Sequence, residues 1–479
     1  VVGAGFGGLS AAARLSHQGH DVIVVEKNEQ PGGRARRLVT EDYSFDMGPS
    51  WYLMPEVFES FFDDLGRDRS SYYELDRLDP GYRMFFDDDV VDIPAGLDNI
   101  YEVFDALEED GAAKLEAYLD DATKKYKDSM ETFLYKAYEQ PSDFFTWDLL
   151  KTGLKFNPFT SMASHVDKYF DSDRAKKIVQ YTLVFLGGSP DNTPSMYSLM
   201  SHVDMKGGVW YPDGGMSGVA KAFEAVCAEE NVGFHYGQEV MNIGVVDGTA
   251  GHVTTTSGDT FTGDAVVVNA DYHHAEMELL DDEHRSYDES YWDDQTVAPS
   301  AFLMYLGVDK ELDGLEHHSL FVHHDWIEHF ESIFDDPKWP DKPSYYVCCP
   351  SRTHDGLAPD GHEAMFVLVP VASGLNDSEH LRSYYSEKIL ADMEERLGEP
   401  LRNHIEYKNV FTVSDFTEAY NAYQGTALGL TQTLGQTALF RPNHQSSEVD
   451  NLYYTGQYTH PGIGVPMTLI SSSIVSDMI

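Results

Sequence analysis

Cysteine is almost missing from this chain: among 479 residues there are three, Cys227, Cys348 and Cys349. Three thiols, two of them adjacent, make neither a disulfide framework nor a metal site, and they point to a reducing compartment. Cys348-Cys349 closes the apolar run 345–349 and reads as strand core, not as a redox pair. Basic residues are scarce as well, 33 Lys plus Arg against 81 Asp plus Glu, for a net charge of −48. With no basic stripe to neutralise phosphates, nucleic acid is excluded as a partner. Long apolar runs are the third absence. None approaches the roughly 20 residues of a membrane-spanning helix, and the longest, 364–372, reads as a buried strand.

What is present suffices for packed cores, with 42% hydrophobic and 13% aromatic residues. Single cores stop growing at about 250–300 residues, so two or three domains are expected. The acids recur in short blocks such as Asp87-Asp88-Asp89, Glu108-Glu109-Asp110 and Asp281-Asp282-Glu283, separated by aromatic-rich segments. An evenly acidic folded surface repels itself in dilute salt and is tolerated when molar salt shortens the Debye length to about 3 Å. A halophilic, salt-accumulating cell is therefore the expected source. Val1 opens inside a motif and Ile479 ends inside a helical pattern, so both ends read as trimmed.

That opening motif carries the chemistry. Val1-Val2 ends a buried strand, Gly3-Ala4-Gly5-Phe6-Gly7-Gly8 follows, and a helical pattern runs from Leu9 to His17. Gly3 permits a tight turn, Gly5 lets backbone approach a pyrophosphate, and Gly8 lets the helix pack on the strand. A helix N-terminus offers unpaired N–H groups and a positive dipole end to phosphate. After Gly19 a second buried strand, 21–25, ends at Glu26, whose carboxylate suits the two ribose hydroxyls. Pro31-Gly32-Gly33-Arg34-Ala35-Arg36 then supplies another close backbone approach and a guanidinium for the pyrophosphate.

This head resembles the amine-oxidase-like FAD superfamily. Within it, Phe45-Asp46-Met47-Gly48-Pro49-Ser50 and the adjoining Trp51-Tyr52-Leu53-Met54-Pro55 resemble the phytoene desaturase branch of carotenoid synthesis. The resemblance implies an FAD cofactor held by Gly3, Gly5, Phe6, Gly7, Gly8, Glu26, Lys27, Gly33, Arg34, Gly48, Pro49 and Ser50. Two later landmarks extend it. Trp210-Tyr211-Pro212-Asp213-Gly214-Gly215 precedes a helix, 217–229, a strand at 232–236, a β-meander beginning near Val240 and a buried strand ending at Asn269-Ala270-Asp271. The resemblance places Val240 against adenine through its backbone and brings Asn269 and Ala270 near the cofactor. In the tail, a strand at 451–455 feeds Gly456 and a helix near Val465-Pro466-Met467. The resemblance puts the Gly456 turn on the flavin's phosphate and ribityl chain and that helix end on its pyrimidine carbonyl.

The expected fold class is α/β: a Rossmann-type FAD-binding domain, parallel sheet plus β-meander, with an α+β substrate domain and a helical region. The parts are FAD binding at 1–70, 206–275 and 426–479, a helical or substrate region at 71–205 and a substrate domain at 276–425. The helical region carries the amphipathic stripe Leu115, Tyr118, Leu119, Ala122, Tyr126 and a dense aromatic stretch from Phe144 to Phe170. That stretch suits an apolar channel, a membrane surface or ordinary helix core.

By resemblance the activity is FAD-dependent dehydrogenation of phytoene or a related C40 polyene, in successive steps, with electrons passed to oxygen or a quinone. So apolar a substrate implies peripheral contact with the inner face of the cell membrane. A later-step carotenoid desaturase, a carotenoid isomerase, a flavin oxidase of amines or porphyrin precursors and a non-catalytic flavin or carotenoid binder remain alternatives. His460, beside the presumed flavin-facing turn, is the candidate catalytic acid or base, its alternative being a bond to backbone. Asp46 reads as a cap of its own turn. His317-His318 and His323-His324 lack nearby ligands in sequence, so they read as surface or loop histidines and no metal is expected.

Overall fold

The computed structural model describes residues 1–138 and 160–479. At its centre lies a parallel sheet gathered from distant parts of the chain. Val2 bridges in parallel to Val25 on one side and to Val268 on the other. Ile23–Val25 continues to Gly233–His235, and Val266–Val268 to Leu452–Tyr454, both in parallel register. Strands covered on both faces read as unbroken apolar runs, which explains the fully buried Val266–Val268. The helices Phe6–His17 and Val465–Met478 pack together over this sheet, with Ser472 donating to Ser10 at 2.7 Å. The helix Gly215–Glu229 joins them, its Phe223 edge-on to Phe6 at 5.4 Å. Beside the sheet stands the meander Val240–Val246, Thr249–Thr255, Thr260–Thr262. Its first turn, Asp247-Gly248, takes positive φ at both residues, as a tight hairpin requires.

A seven-stranded sheet forms the second layer, in the order Ile405–Phe411, Ser300–Val308, Glu363–Val371, Tyr345–Cys348, His318–Phe321, Tyr82–Phe85, Val90–Ile93. Side chains alternate across a strand, and here the alternation sorts two environments. Phe302, Met304 and Leu306 face the helix Glu379–Leu397 through Tyr385, Ile389 and Met393. Ala301 and Leu303, with Leu320, Tyr346 and Leu368, turn to the other side and floor a cavity. Cys348 and Cys349 are buried at the end of a central strand, so the core reading of that pair stands.

The stretch 71–205 is not wholly helical. Its segments Tyr82–Phe85 and Val90–Ile93 form one edge of the seven-stranded sheet, and the exposed–buried alternation of Val90–Ile93 is that of an edge strand. The helices Leu97–Leu107, Gly111–Thr132 and Asp173–Gln180 follow. In the second, Leu115, Tyr118, Leu119 and Ala122 are buried at the helical spacing, with Phe170 against Tyr118 at 5.5 Å. Phe170, just past a short helix, is thus core packed against Tyr118, with Tyr169 partly buried beside it, while Phe144, Phe145, Trp147, Phe156 and Phe159 fall outside the described residues.

Candidate functional site

Where the parallel sheet meets the second layer lies a cavity of about 530 Å³. One end is the glycine-rich turn. Gly3 has φ +97°, which disfavours a side chain, and a Cβ on Gly8 would overlap the Gly3 carbonyl oxygen. Gly8 therefore sets how closely helix and strand approach, and Gly3 and Gly5 bring backbone to the cavity wall, the Gly3 amide itself donating to the Val25 carbonyl at 2.8 Å. Glu26 is buried at the end of its strand. Its Oε2 accepts from the Ala4 amide at 2.6 Å and its Oε1 from the Asn28 amide at 2.8 Å. The carboxylate is thereby held rigid at the lip of the turn, with acceptor capacity remaining.

Gly3, Gly5, Phe6, Glu26, Lys27, Gly33, Arg34, Gly48, Pro49, Ser50, Val240, Asn269, Ala270, Val465, Pro466 and Met467 all line this one cavity. Three separate stretches of sequence thus meet in space. Gly464, at φ +112°, starts the helix Val465–Met478, whose first turn carries no acid and whose N-terminus borders the cavity. Arg34 is the cation there. Its Nη2 reaches the Thr426 carbonyl at 3.4 Å, Gln457 Oε1 accepts from Nη1 at 3.0 Å once that amide is turned to suit both groups, and the guanidinium lies 5.3 Å from the Tyr420 ring. Its buried Nε has no partner among the described residues. A donor of this kind, beside a glycine turn and a helix N-terminus, fits a pyrophosphate.

Four expected residues stand elsewhere. Gly7 and Gly8 lie behind the wall, where Gly7 makes room for Asn269 and Thr468. The Gly456 amide donates to Ser471 Oγ at 3.1 Å, so that N–H is committed to the C-terminal helix and not to a ligand. His460 is the fourth. It is buried and absent from the cavity lining, and its Nε2 donates to the carbonyls of Phe133 and Leu134 at 3.2 and 3.1 Å. Burial pushes its pKa down to about 3, so it stays neutral and bound to backbone, which corrects the acid–base expectation. Lys27 lines the cavity, yet its ammonium is tied to the Glu418 carbonyl, Asn421 and Glu239.

The other end of the cavity is apolar, walled by Leu53, Leu186, Met196, Met200, Val203, Trp326, Phe330 and Ile333. The chain matches the family described as flavin containing amine oxidoreductase over residues 6–479. The chain belongs to that family. A carotenoid 3,4-desaturase of Haloarcula japonica is 51% identical over 98% of this chain and 95% of its own length. A zeta-carotene-forming phytoene desaturase of Myxococcus xanthus is 34% identical over 100% of this chain and 92% of its own length. A solved oxidoreductase of Methanosarcina mazei superposes with a TM-score of 0.64 at 17% identity, covering 100% of this chain and 98% of the other, which shows the shared fold. The α/β architecture with its flavin cradle is therefore that of the flavin-containing amine oxidoreductases.

Two more corrections concern acid and imidazole groups. Asp46 caps a helix distant in sequence, accepting from the amides of Met216 and Ser217 at 2.7 and 3.2 Å, so it ties the first flavin segment to the second. His317 and His318 are buried, not superficial. Each meets a hydroxyl through Nδ1, Thr353 for His317 and Tyr346 for His318, both at 2.6 Å. Cys348 joins them within 4.8 Å, but burial raises its thiol to about 12 and lowers His317 to about 3, which leaves all three neutral.

Sequence reasoning also missed the wall that follows the Gly48-Pro49-Ser50 loop. There Trp51 stacks on His318 at 4.2 Å and meets Tyr82 at 5.6 Å and Tyr181 at 5.8 Å. Asp204 is buried behind it, accepting from Tyr82 at 2.9 Å, and the Tyr181 ring lies 4.8 Å from that of Tyr82. The only signal of Asp204 in the sequence was a single acid inside a Met-, Leu- and Ser-rich stretch, 196–205, with no other Asp, Glu, Lys or Arg.

Proposed function

We propose that the chain is an FAD-dependent carotenoid desaturase that dehydrogenates a C40 polyene, and that a 3,4-desaturation of a partly conjugated polyene is its reaction. The observation that carries this reading is the continuous cavity, a dinucleotide cradle at one end and an apolar chamber with few polar groups at the other. A polyene offers no charge to grip, so recognition falls to shape and apolar contact. The 51% identity to a carotenoid 3,4-desaturase, against 34% to a phytoene desaturase, favours the later step.

In this reading Arg34 and the backbone amides at Gly5 and Gly33 hold the pyrophosphate past the close turn at Gly3, Glu26 the ribose, Val240 the adenine, and the helix end at Val465-Pro466-Met467 the flavin ring. The bound flavin supplies the two-electron oxidation. The protein's task is to dry the site and to align one C–C bond of the polyene beside the ring. Electrons leave to oxygen or a quinone. The substrate enters from the inner face of a membrane past Leu434 and Phe440, both exposed, next to the contact of Tyr138 with Ala438. No helix among the described residues is long and apolar enough to cross a membrane, which supports a peripheral contact. The net charge of −48 supports a halophilic, acidic surface.

The test supplies FAD-loaded protein in molar KCl with liposomes containing either phytoene or a C40 polyene that lacks only its terminal 3,4 double bonds. Red-shifted products with equivalent acceptor consumption from the second substrate are expected. Turnover of phytoene alone would move the protein to the first step, isomers formed without acceptor consumption would make it an isomerase, and an unchanged polyene would end the desaturase reading.

A further inference from the structure

Burying a charge is costly unless an opposite charge or a full set of hydrogen bonds answers it. This chain offers 81 acids to 33 Lys and Arg, and Arg14, Arg67, Arg83 and Arg396 each meet one. Arg441 does not. It is 3% exposed and forms no ion pair among the described residues. Oxygens of the main chain and one amide take its donors instead. Nε donates to the Tyr458 carbonyl at 3.0 Å, Nη1 to the Gln436 carbonyl at 2.9 Å and Gln432 Oε1 at 3.2 Å, and Nη2 to the Gln457 carbonyl at 2.7 Å. Carbonyl dipoles orient around a cation without cancelling its charge. Burial lowers its pKa only to about 10, so it stays protonated near neutrality.

That charge stands directly behind the cavity wall. Gln432, Pro461, Ile463 and Gly464 line the cavity, and Gln432 Nε2 donates to the Pro461 carbonyl at 3.2 Å while its Oε1 accepts from Arg441. A Cβ on Gly462, whose φ is +121°, would come within 3.1 Å of Arg441 Cζ, so the lack of a side chain there lets the turn lie on the guanidinium. The turn leads into the helix Val465–Met478, whose N-terminus borders the same cavity. Donors are few at that end: Pro466 has no N–H, and the Gly456 amide is committed to Ser471. His460, neutral and bound to backbone, adds no charge. Gln457 joins the two cations of this wall, its side chain meeting Arg34 and its carbonyl Arg441. Arg34 has a pyrophosphate to answer it in the proposed holoenzyme. Arg441 has no anion until the flavin is reduced.

Resting on the flavin-binding part of the reading above, we propose that Arg441 is the buried cation that sets the redox poise of the flavin, its charge acting across the turn 461–464 to favour the reduced form. It touches no reacting atom. In the proposed dehydrogenation the polyene loses two electrons and two protons. The flavin takes both electrons and one proton, gaining one negative charge, and the second proton leaves to solvent. A cation fixed behind the wall, in an interior of low dielectric, stabilises that charge without having to reorient. An unactivated C–H, with no polar group to ease the loss of hydride, calls for such a strengthened acceptor.

The experiment measures the midpoint potential of FAD-loaded protein against a reference dye, without oxygen and in molar KCl, for wild type, Arg441→Lys, Arg441→Met and Arg441→Gln. The two neutral variants should shift the two-electron equilibrium toward oxidised flavin by about tenfold or more, a fall of about 30 mV. Arg441→Lys keeps the charge but gives up most of the carbonyl contacts. It should lose stability and hold the equilibrium within about twofold of wild type. A merely structural role gives another pattern, with all three variants less stable and none changed in potential. Neutral variants equal to wild type, or an Arg441→Lys value as low as theirs, overturn the proposal. Where neither neutral variant retains FAD, wild type decides: a potential above that of free FAD in the same buffer supports the cation, and one at or below it overturns the idea. No polyene enters these measurements, so a wild type that oxidises no polyene ends the desaturase reading alone. A wild type that binds no FAD ends both.

Discussion

Asp204 imposes a stability cost that can be worked out from its surroundings. Burial without a cation raises its carboxyl from an ordinary 3.8 to about 7, the phenols of Tyr82 and Tyr181 offsetting only part of the desolvation. The folded protein therefore holds this proton more tightly than the unfolded chain does. The stabilising contribution is complete below pH 3.8, shrinks as pH rises through the window and is exhausted above about 7. At about 1.36 kcal/mol per unit, the roughly three-unit gap amounts to about 4 kcal/mol. Asp204→Asn removes the titration and keeps the shape. Urea unfolding of both proteins in molar KCl, at half-unit steps from pH 4 to 8, isolates the effect because all other titrating groups are shared. The stability of the variant relative to wild type should climb by about 4 kcal/mol across the window, whatever constant offset the amide introduces. Parallel curves, within about 1 kcal/mol, would refute the burial argument.

Other outcomes follow from single contacts. Gly8→Val drives a side chain into the Gly3 carbonyl and should abolish FAD retention on gel filtration while costing about 3 kcal/mol or more in unfolding. His460→Gln should leave the pH profile of turnover unchanged between pH 5 and 9, because the imidazole is neutral above about 3; a lost ionisation would restore His460 as acid or base. Its lost backbone bonds should still lower stability by about 1–3 kcal/mol. Arg34→Ala should weaken FAD binding at least tenfold by flavin-fluorescence titration, since it removes the cation facing the turn. Lowering KCl from about 1 M to 0.1 M lengthens the Debye length from about 3 to 10 Å. With a net charge of −48, the melting temperature should then fall by roughly 10 °C, and an unmoved value would remove the halophilic reading.

The sequence alone carried the flavin cradle far. The Gly3–Gly8 turn, Glu26 and Arg34 were legible because a phosphate-binding turn needs particular residues at particular spacings, all local to one strand–turn–helix unit. The strand at 363–371 was legible for a similar reason, since a strand buried on both faces leaves an unbroken apolar run. Local pattern also misled. Tyr82–Phe85 and Val90–Ile93 lay in a stretch dominated by helical periodicity, and their pairing with His318–Phe321, more than 230 residues away, has no local signature. The depth of His317, His318 and His460, the cap that Asp46 places on a remote helix, and the commitment of the Gly456 amide to Ser471 all depend on which surface covers which. Asp204 shows the division most clearly. Its carboxyl is written in the sequence, but its proton affinity is set by the absence of water and by two phenols from elsewhere in the chain, and only the tertiary structure brings those together.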